Sequence, residues 1–274
     1  MLQKKWIRWS LAVLITLIAV IYQRMSGPTY PLRGSVQVDG QNVKYKLIRS
    51  HGGEGDAMVT LDFDNPVYKA YLIYKRYKVD EDWQKVAMKS EGKKLKAALP
   101  HQPPAGKLEY YVLLRKGDRK IALPPHKSVV IRFKGGVPAA VLIPHILFMF
   151  IAMFMSNMAG LEAFASGEKI YRYTLIATSA LIIGGMILGP LVQKFAFGEY
   201  WTGIPWGWDL TDNKTLFALL GWLLAAIKTR KSPVQGRWWV VAAALILILV
   251  YSIPHSAMGS ELNYETMKVS TGNV

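Results

Sequence analysis

Long apolar runs alternate with polar segments along the chain, and they predict membrane-spanning helices. A helix needs about 20 predominantly apolar residues to cross a bilayer. Five stretches approach that length: residues 6–22, 138–158, 171–195, 210–227 and 238–253. The fourth is the least apolar, because Asp212 and Lys214 lie in its first turns. We therefore expect five transmembrane helices, with one large polar segment between the first and the second.

That polar segment has the pattern of β-strands. Alternation of apolar and polar residues with a period of two, interrupted by Gly, Pro, Asn and Asp, is typical of antiparallel sheets. About seven strands in about 100 residues predict an all-β sandwich of the immunoglobulin or fibronectin type III kind. The alternating stretches are residues 43–47, 58–63, 70–77, 83–88, 94–99, 107–114 and 129–133.

These patterns divide the chain into four parts. We expect an N-terminal transmembrane anchor at residues 1–26, the β-sandwich domain at 27–137, a four-helix transmembrane bundle at 138–262 and a C-terminal tail at 263–274. The first apolar run also has the basic start of a signal peptide. Residues 20–23 offer no small-residue cleavage site, so we favour a retained anchor.

Basic residues beside the apolar runs predict the orientation, since short cytoplasmic loops are enriched in Lys and Arg. Nine of them fall on one side if the amino terminus is inside and the helices alternate. We therefore expect the amino terminus inside, and the carboxyl terminus and the β domain on the outer, periplasmic side of a bacterial inner membrane. The nine residues are Lys4, Lys5, Arg8, Lys169, Arg172, Lys228, Arg230, Lys231 and Arg237.

Charge and composition limit the partners and the chemistry. The chain has a net charge of +16, and residues 27–137 contribute +10 of it. A basic outer domain is either a solvated surface or a docking surface for an acidic periplasmic protein or cytochrome. No recognition helix or aromatic RNA-binding signature indicates nucleic acid. The chain has no cysteine, which excludes disulfides, thiolate metal sites and iron–sulfur clusters.

Two histidines lie at the outer ends of predicted helices, and ionisable groups in a membrane are candidates for function. His145 is near the outer end of the second helix and His255 is at the outer end of the fifth, with Trp201, Trp206 and Trp208 between them in the sequence. Two neutral imidazoles can supply both axial ligands of a haem iron. The indoles and Asp209 would form the surroundings of such a cofactor.

Structural explanations for the same residues stay open. Tryptophans near a membrane surface commonly form an anchoring belt. Asp209 is suited to cap the fourth helix by accepting backbone N–H groups. A histidine at the end of a membrane helix can simply bond water or a carbonyl.

The tryptophan-rich segment resembles the signature of the cytochrome c assembly family of haem-handling membrane proteins. The residues that carry the resemblance are Gly198-Glu199-Tyr200-Trp201, Trp206-Gly207-Trp208-Asp209 and Ile253-Pro254-His255-Ser256-Ala257-Met258-Gly259, with Pro144-His145 in the place of the first histidine. The similarity covers about residues 138–262. It implies haem as cofactor, His145 and His255 as iron ligands, and Trp201, Trp206, Trp208 and Asp209 as the outer loop beside it.

Two functions follow as hypotheses. The first is a haem-binding or haem-handling membrane protein. The second is a non-catalytic accessory subunit of a respiratory or photosynthetic membrane complex, which contacts lipid and other subunits through its helices and docks partners through its basic outer domain. The chain has no nucleophile elbow, H-E-x-x-H pair or phosphate loop, so we expect no catalytic activity of its own.

Overall fold

A computed structural model describes residues 2–254 and 260–270 and contains five helices that are long and apolar enough to cross a membrane. The first, second, fourth and fifth are single α-helices. The third contains a π-helical segment between two α-helical parts. The bounds are α1 Lys5–Ser26, α2 Ala139–Phe164, α3 Ile170–Leu181, the π segment Ile182–Leu188, α4 Gly189–Phe197, α5 Leu210–Lys231 and α6 Pro233–Ser252.

The chain forms two compact units, and the helices form the first. Small residues allow the helices to pack closely. A Cβ added at Gly160 of α2 would lie 2.8 Å from the Cβ of Ala244 in α6. Helix α1 belongs to the same hydrophobic core, which includes its residues Ala12 and Ala19.

Two polar contacts join α1 to α2 inside this unit. Arg8 and Glu162 form a buried ion pair, with 3.0 Å between Nε and the carboxylate. Asn157 donates to the Thr16 hydroxyl at 2.9 Å. A buried ion pair broken on one side is strongly destabilising. The first helix is therefore an integral part of the bundle.

The second unit contains the β-strands. Its strands are β1 Leu32–Val38, β2 Gln41–Leu47, β3 Ser50–Gly52, β4 Ala57–Asp62, β5 Lys69–Arg76, β6 Gln84–Ala87, β7 Lys89–Glu91, β8 Lys94–Leu99, β9 Lys107–Lys116, β10 Arg119–Leu123, β11 Val129–Lys134, β12 Glu261–Asn263 and β13 Lys268–Ser270. Strand β9 is central, because it pairs antiparallel with β5, β10 and β11. A six-stranded sheet has the order β3-β11-β9-β5-β6 with β10 beside β9, and a three-stranded sheet has the order β4-β8-β7.

Three sheets of this unit, the six-stranded one, the three-stranded one and the β1–β2 hairpin, share one hydrophobic core. Leu72 and Val112 of the six-stranded sheet belong to the same buried cluster as Leu61 of β4 and Leu47 of the β1–β2 hairpin. All seven alternating stretches predicted from the sequence form strands. Inward-facing positions in β9 alternate with half-buried outward ones, which explains why the period-2 pattern was visible.

The segment after α6 differs from the expected tail. Residues 261–270 form the β12–β13 hairpin and belong to the β unit. The Tyr264 hydroxyl accepts from the backbone N–H of Lys107 at 2.9 Å, and Lys107 Nζ lies 2.7 Å from the Glu261 carboxylate. Strands of three residues are too short for a period-2 pattern, so the sequence did not reveal them.

Candidate functional site

His145 lies in the second turn of α2 and is half-buried. Its Nδ1 is 2.9 Å from the carbonyl oxygen of Gly184. A carbonyl only accepts hydrogen bonds, so Nδ1 carries the proton and Nε2 keeps its lone pair. This is the arrangement of metal-ligating histidines, whose second ring N–H is commonly fixed by a carbonyl.

The π-helical segment provides the partner of His145. In it the backbone N–H of Gly189 bonds to the same Gly184 carbonyl, five residues earlier. Such π segments are rare and frequently occur at functional sites. A Cβ at Gly184 would lie 3.0 Å from the Cβ of Phe148 and 3.1 Å from the backbone nitrogen of Met149. Glycine at this position therefore allows α2 and the π segment to approach closely.

His255 lies outside the described residues, but the helix that leads to it is described. Helices α2 and α6 run antiparallel, since Met149 meets Tyr251 while Gly160, later in α2, meets Ala244, earlier in α6. The Tyr251 hydroxyl donates to the Met149 carbonyl at 3.0 Å. From this contact, His145 is four residues back along α2 and His255 is four residues onward in the sequence.

Lys214 connects α5 to the end of α6. Its side chain is buried, and Nζ donates to the carbonyl of Ile253 at 2.6 Å. Ile253 is two residues before His255. A lysine in the first turns of α5 thus fixes the last described residues ahead of the second histidine.

The segment between α4 and α5, residues 198–209, is called the tryptophan loop below. Two side chains from the first turn of α5 hold it. The Asp212 carboxylate accepts from the backbone N–H of Thr202 at 2.6 Å and from Gln193 Nε2 at 3.1 Å, and the Asn213 side-chain oxygen accepts from the N–H of Ile204 at 2.7 Å. Gly203 fits between them: a Cβ there would lie 2.6 Å from Asn213 Oδ1.

The three tryptophans have different environments. Trp201 is half-buried and its indole N–H donates to the carbonyl of Ile204 at 3.1 Å. Trp206 and Trp208 are 81% and 73% exposed. Among the described residues, His145 has no ring contact with an indole. The loop therefore presents two open aromatic surfaces beside one indole that is part of its own fold.

Asp209 caps α5. Its carboxylate accepts from the backbone N–H of Thr211 at 2.8 Å and of Asp212 at 3.3 Å. Capping of this kind satisfies N–H groups that have no partner within the helix. The structure thus gives Asp209 a role in fixing where the loop ends and the helix begins.

Sequence reasoning missed the side chains that hold the loop. Gln193, Thr202 and Asn213 belong to no recognised motif, and their contacts join α4, the loop and α5. A signal was present in Asp212 and Asn213, two polar residues in the first turn of an otherwise apolar helix. In the described part of the chain, no group of three or more His, Asp or Glu side chains is placed to hold a metal ion.

No protein-family model, curated protein or solved structure matches the chain.

Proposed function

We propose that the protein binds haem at the outer end of its helical bundle, with His145 and His255 as the two axial ligands. The observation that carries the proposal is the hydrogen bond from His145 Nδ1 to the Gly184 carbonyl, which leaves Nε2 available to iron. A bound haem would supply one-electron exchange or be carried as cargo for a partner.

The antiparallel packing of α2 and α6 supports a pair of ligands. From the Tyr251–Met149 hydrogen bond, α2 traced backwards and α6 traced forwards lead towards the same end of the bundle. Four residues of α-helix rise about 6 Å. His145 therefore lies about one turn beyond this contact, and the contact from Lys214 to Ile253 holds the approach to His255 at that end.

The tryptophan loop supports the proposal through its exposed rings. Trp206 and Trp208 offer apolar, flat surfaces that suit a porphyrin ring, and the loop that carries them is fixed to α5 by Asp212. Trp201 and Asp209 would contribute indirectly, through the fold of the loop. Trp201 stabilises the loop, and Asp209 fixes its junction with α5.

Membrane placement belongs to the same proposal. We place the five helices in a bacterial inner membrane with the amino terminus inside and the β unit in the periplasm as an immunoglobulin-like sandwich. The shared core of its sheets is the support for the sandwich. The chain enters the β unit after α1 and again after α6, which fits an alternating topology in which both helix ends are on one side.

Absorption spectroscopy of the purified full-length protein tests haem binding. After incubation with haem we expect a Soret band with low-spin bis-histidine features. His145→Ala and His255→Ala should each abolish the low-spin bis-histidine features, because only one imidazole would remain to hold the iron. His126→Ala is the control, since His126 is an exposed residue of the β unit. If both His145→Ala and His255→Ala keep the low-spin spectrum, these histidines are not the iron ligands.

A second function, that of an accessory subunit, is favoured by the same exposed indoles. Large aromatic side chains that are 81% and 73% exposed also suit a protein–protein contact. In that case the purified protein stays colourless with haem and co-purifies stoichiometrically with a cytochrome- or pigment-bearing complex. Trp206→Ala and Trp208→Ala would then release the complex.

A further inference from the structure

A row of three cations crosses one face of the six-stranded sheet. Lys69 of β5 is opposite Arg115 of β9, and Arg115 is opposite Lys120 of β10. All three side chains are exposed. Like charges directly opposite one another on neighbouring strands destabilise a sheet. Repulsion within the row therefore lowers the stability of the sheet, and a binding role for the row would explain its presence.

Neighbouring residues show that the sheet can neutralise such charges. Lys116 and Arg119, each adjacent in sequence to a member of the row, both pair with Asp39, and Lys116 Nζ lies 2.8 Å from its carboxylate. No carboxylate from residues 2–254 or 260–270 forms an ion pair with Lys69, Arg115 or Lys120. Carboxylates of the described residues therefore neutralise the cations next to the row but not those in it.

Aromatic rings on the same face hold further ammonium groups in place. Lys85 Nζ lies 3.8 Å from the centre of the Tyr71 ring, and Lys75 Nζ lies 5.3 Å from that of Trp83. Trp83 packs edge-on against Tyr111 at 5.4 Å. Such cation–π contacts orient a lysine without neutralising its charge, but Lys75 Nζ also pairs with the Glu109 carboxylate at 3.5 Å. Lys85 therefore adds an ordered positive charge to those of the row.

These contacts favour one class of partner over others. A carbohydrate would need ring faces open for stacking, but lysine head groups lie over Tyr71 and Trp83. A membrane surface would need freely projecting apolar side chains, yet Ile73 on this face is only 5% exposed and the Trp83 ring, 42% exposed, lies beneath Lys75 Nζ. Carboxylates of a protein suit an ordered array of ammonium and guanidinium groups.

We propose that the outward face of β5, β6, β9 and β10, defined by Lys69, Lys85, Arg115 and Lys120 with Tyr71 and Trp83, docks an acidic segment of a partner protein. The proposal does not depend on haem binding, because it rests on the β unit alone.

The test uses the full-length protein in nanodiscs of neutral lipid and a fluorescent oligoglutamate peptide. Lys69→Gln/Arg115→Gln/Lys120→Gln should raise the Kd by about tenfold, the combined effect of three exposed ion pairs. The control is Lys44→Gln/Lys46→Gln/Lys89→Gln, which removes the same charge from exposed positions on other strands and should change the Kd less than about twofold. Lys69→Arg/Lys120→Arg keeps the charge and should bind as the unchanged protein does.

Thermal unfolding shows that a loss of binding is not a loss of fold. The triple glutamine variant of the row should unfold at a higher temperature than the unchanged protein, since it removes like-charge repulsion. Equal weakening of peptide binding in both triple variants would overturn the proposal. So would tighter binding of a sulfated oligosaccharide or of anionic vesicles than of oligoglutamate.

Discussion

Asp212 is the residue on which the tryptophan loop depends most. Its carboxylate accepts from the Thr202 backbone N–H, the Thr202 hydroxyl and the Gln193 amide, and it is 7% exposed. One buried acceptor that serves several donors fixes a loop more firmly than separate contacts with solvent-exposed partners. The exposed indoles of the loop are therefore carried on a rigid base.

Asp212→Ala should free the loop. Each buried donor left without an acceptor costs about 1–3 kcal/mol, so we expect a lower unfolding temperature and faster proteolytic cleavage between α4 and α5. Glu199→Ala is the matched control, since Glu199 is an exposed acid in the same loop. Equal cleavage of both variants would show that Asp212 does not hold the loop.

Tyr264 allows a pH-dependent prediction in the β unit. Burial raises the pKa of Tyr264 to about 12 from its ordinary value of 10.0. The unfolded chain therefore loses this proton at lower pH than the folded one. The stability contributed by the neutral hydroxyl is fully present below pH 10 and is lost as the pH rises towards 12.

Tyrosinate absorbance measures this directly. The difference between the titrations of the unchanged protein and of Tyr264→Phe should have its midpoint near 12. A midpoint near 10 would mean that the β12–β13 hairpin does not bury the hydroxyl.

At the scale of elements, the π segment determines how closely α2 approaches the third of the five long apolar helices, to which it belongs. Gly184 provides the carbonyl for His145 and the space for Phe148 and Met149. Its neighbour Gly185 contacts α5, where a Cβ would lie 2.8 Å from the Thr215 methyl group. Helix α2, the helix with the π segment and α5 therefore pack together at Gly184 and Gly185.

Gly184→Ala should disturb this junction. The added Cβ would lie 3.1 Å from the backbone nitrogen of Met149, and backbone in a helix cannot yield as a side chain tip can. We expect a destabilisation of about 1–3 kcal/mol in thermal unfolding. Gly221→Ala is the control, because a Cβ there meets no atom within 4 Å. A similar loss in both variants would contradict the packing argument.

The sequence predicted elements marked by a long apolar run or by alternation and missed those with neither signal. The five long apolar helices and seven strands were predicted, because apolar runs and alternation are local signals. Strand β1 was missed since Gly34 and Ser35 interrupt its pattern, and the π segment was missed because a uniformly apolar run such as 182–188 carries no period. For the candidate site, His145 and the tryptophans were visible as unusual residue types. The contacts of Gln193 and Asp212 with Thr202 join separate elements, so no local sequence pattern predicts them.

At the scale of the whole molecule, the orientation in the membrane is a prediction from charge. The chain contains no cysteine, so single cysteines can be introduced without background. Lys127→Cys should react with a membrane-impermeant maleimide added from the periplasmic side, and Ser232→Cys, between α5 and α6, should react only after the inner membrane is opened. The reverse pattern would invert the topology.

Haem binding as proposed requires His145 and His255 to meet at one end of the bundle. The absence of cysteine also makes its most direct test possible. In the double variant His145→Cys/His255→Cys, a short bismaleimide should cross-link the two positions in high yield. The control pair His145→Cys/Ser232→Cys should not cross-link, because Ser232 lies at the start of α6, at the far end from Tyr251. Failure of the first pair to cross-link, or equal yields in both, would contradict this proposal.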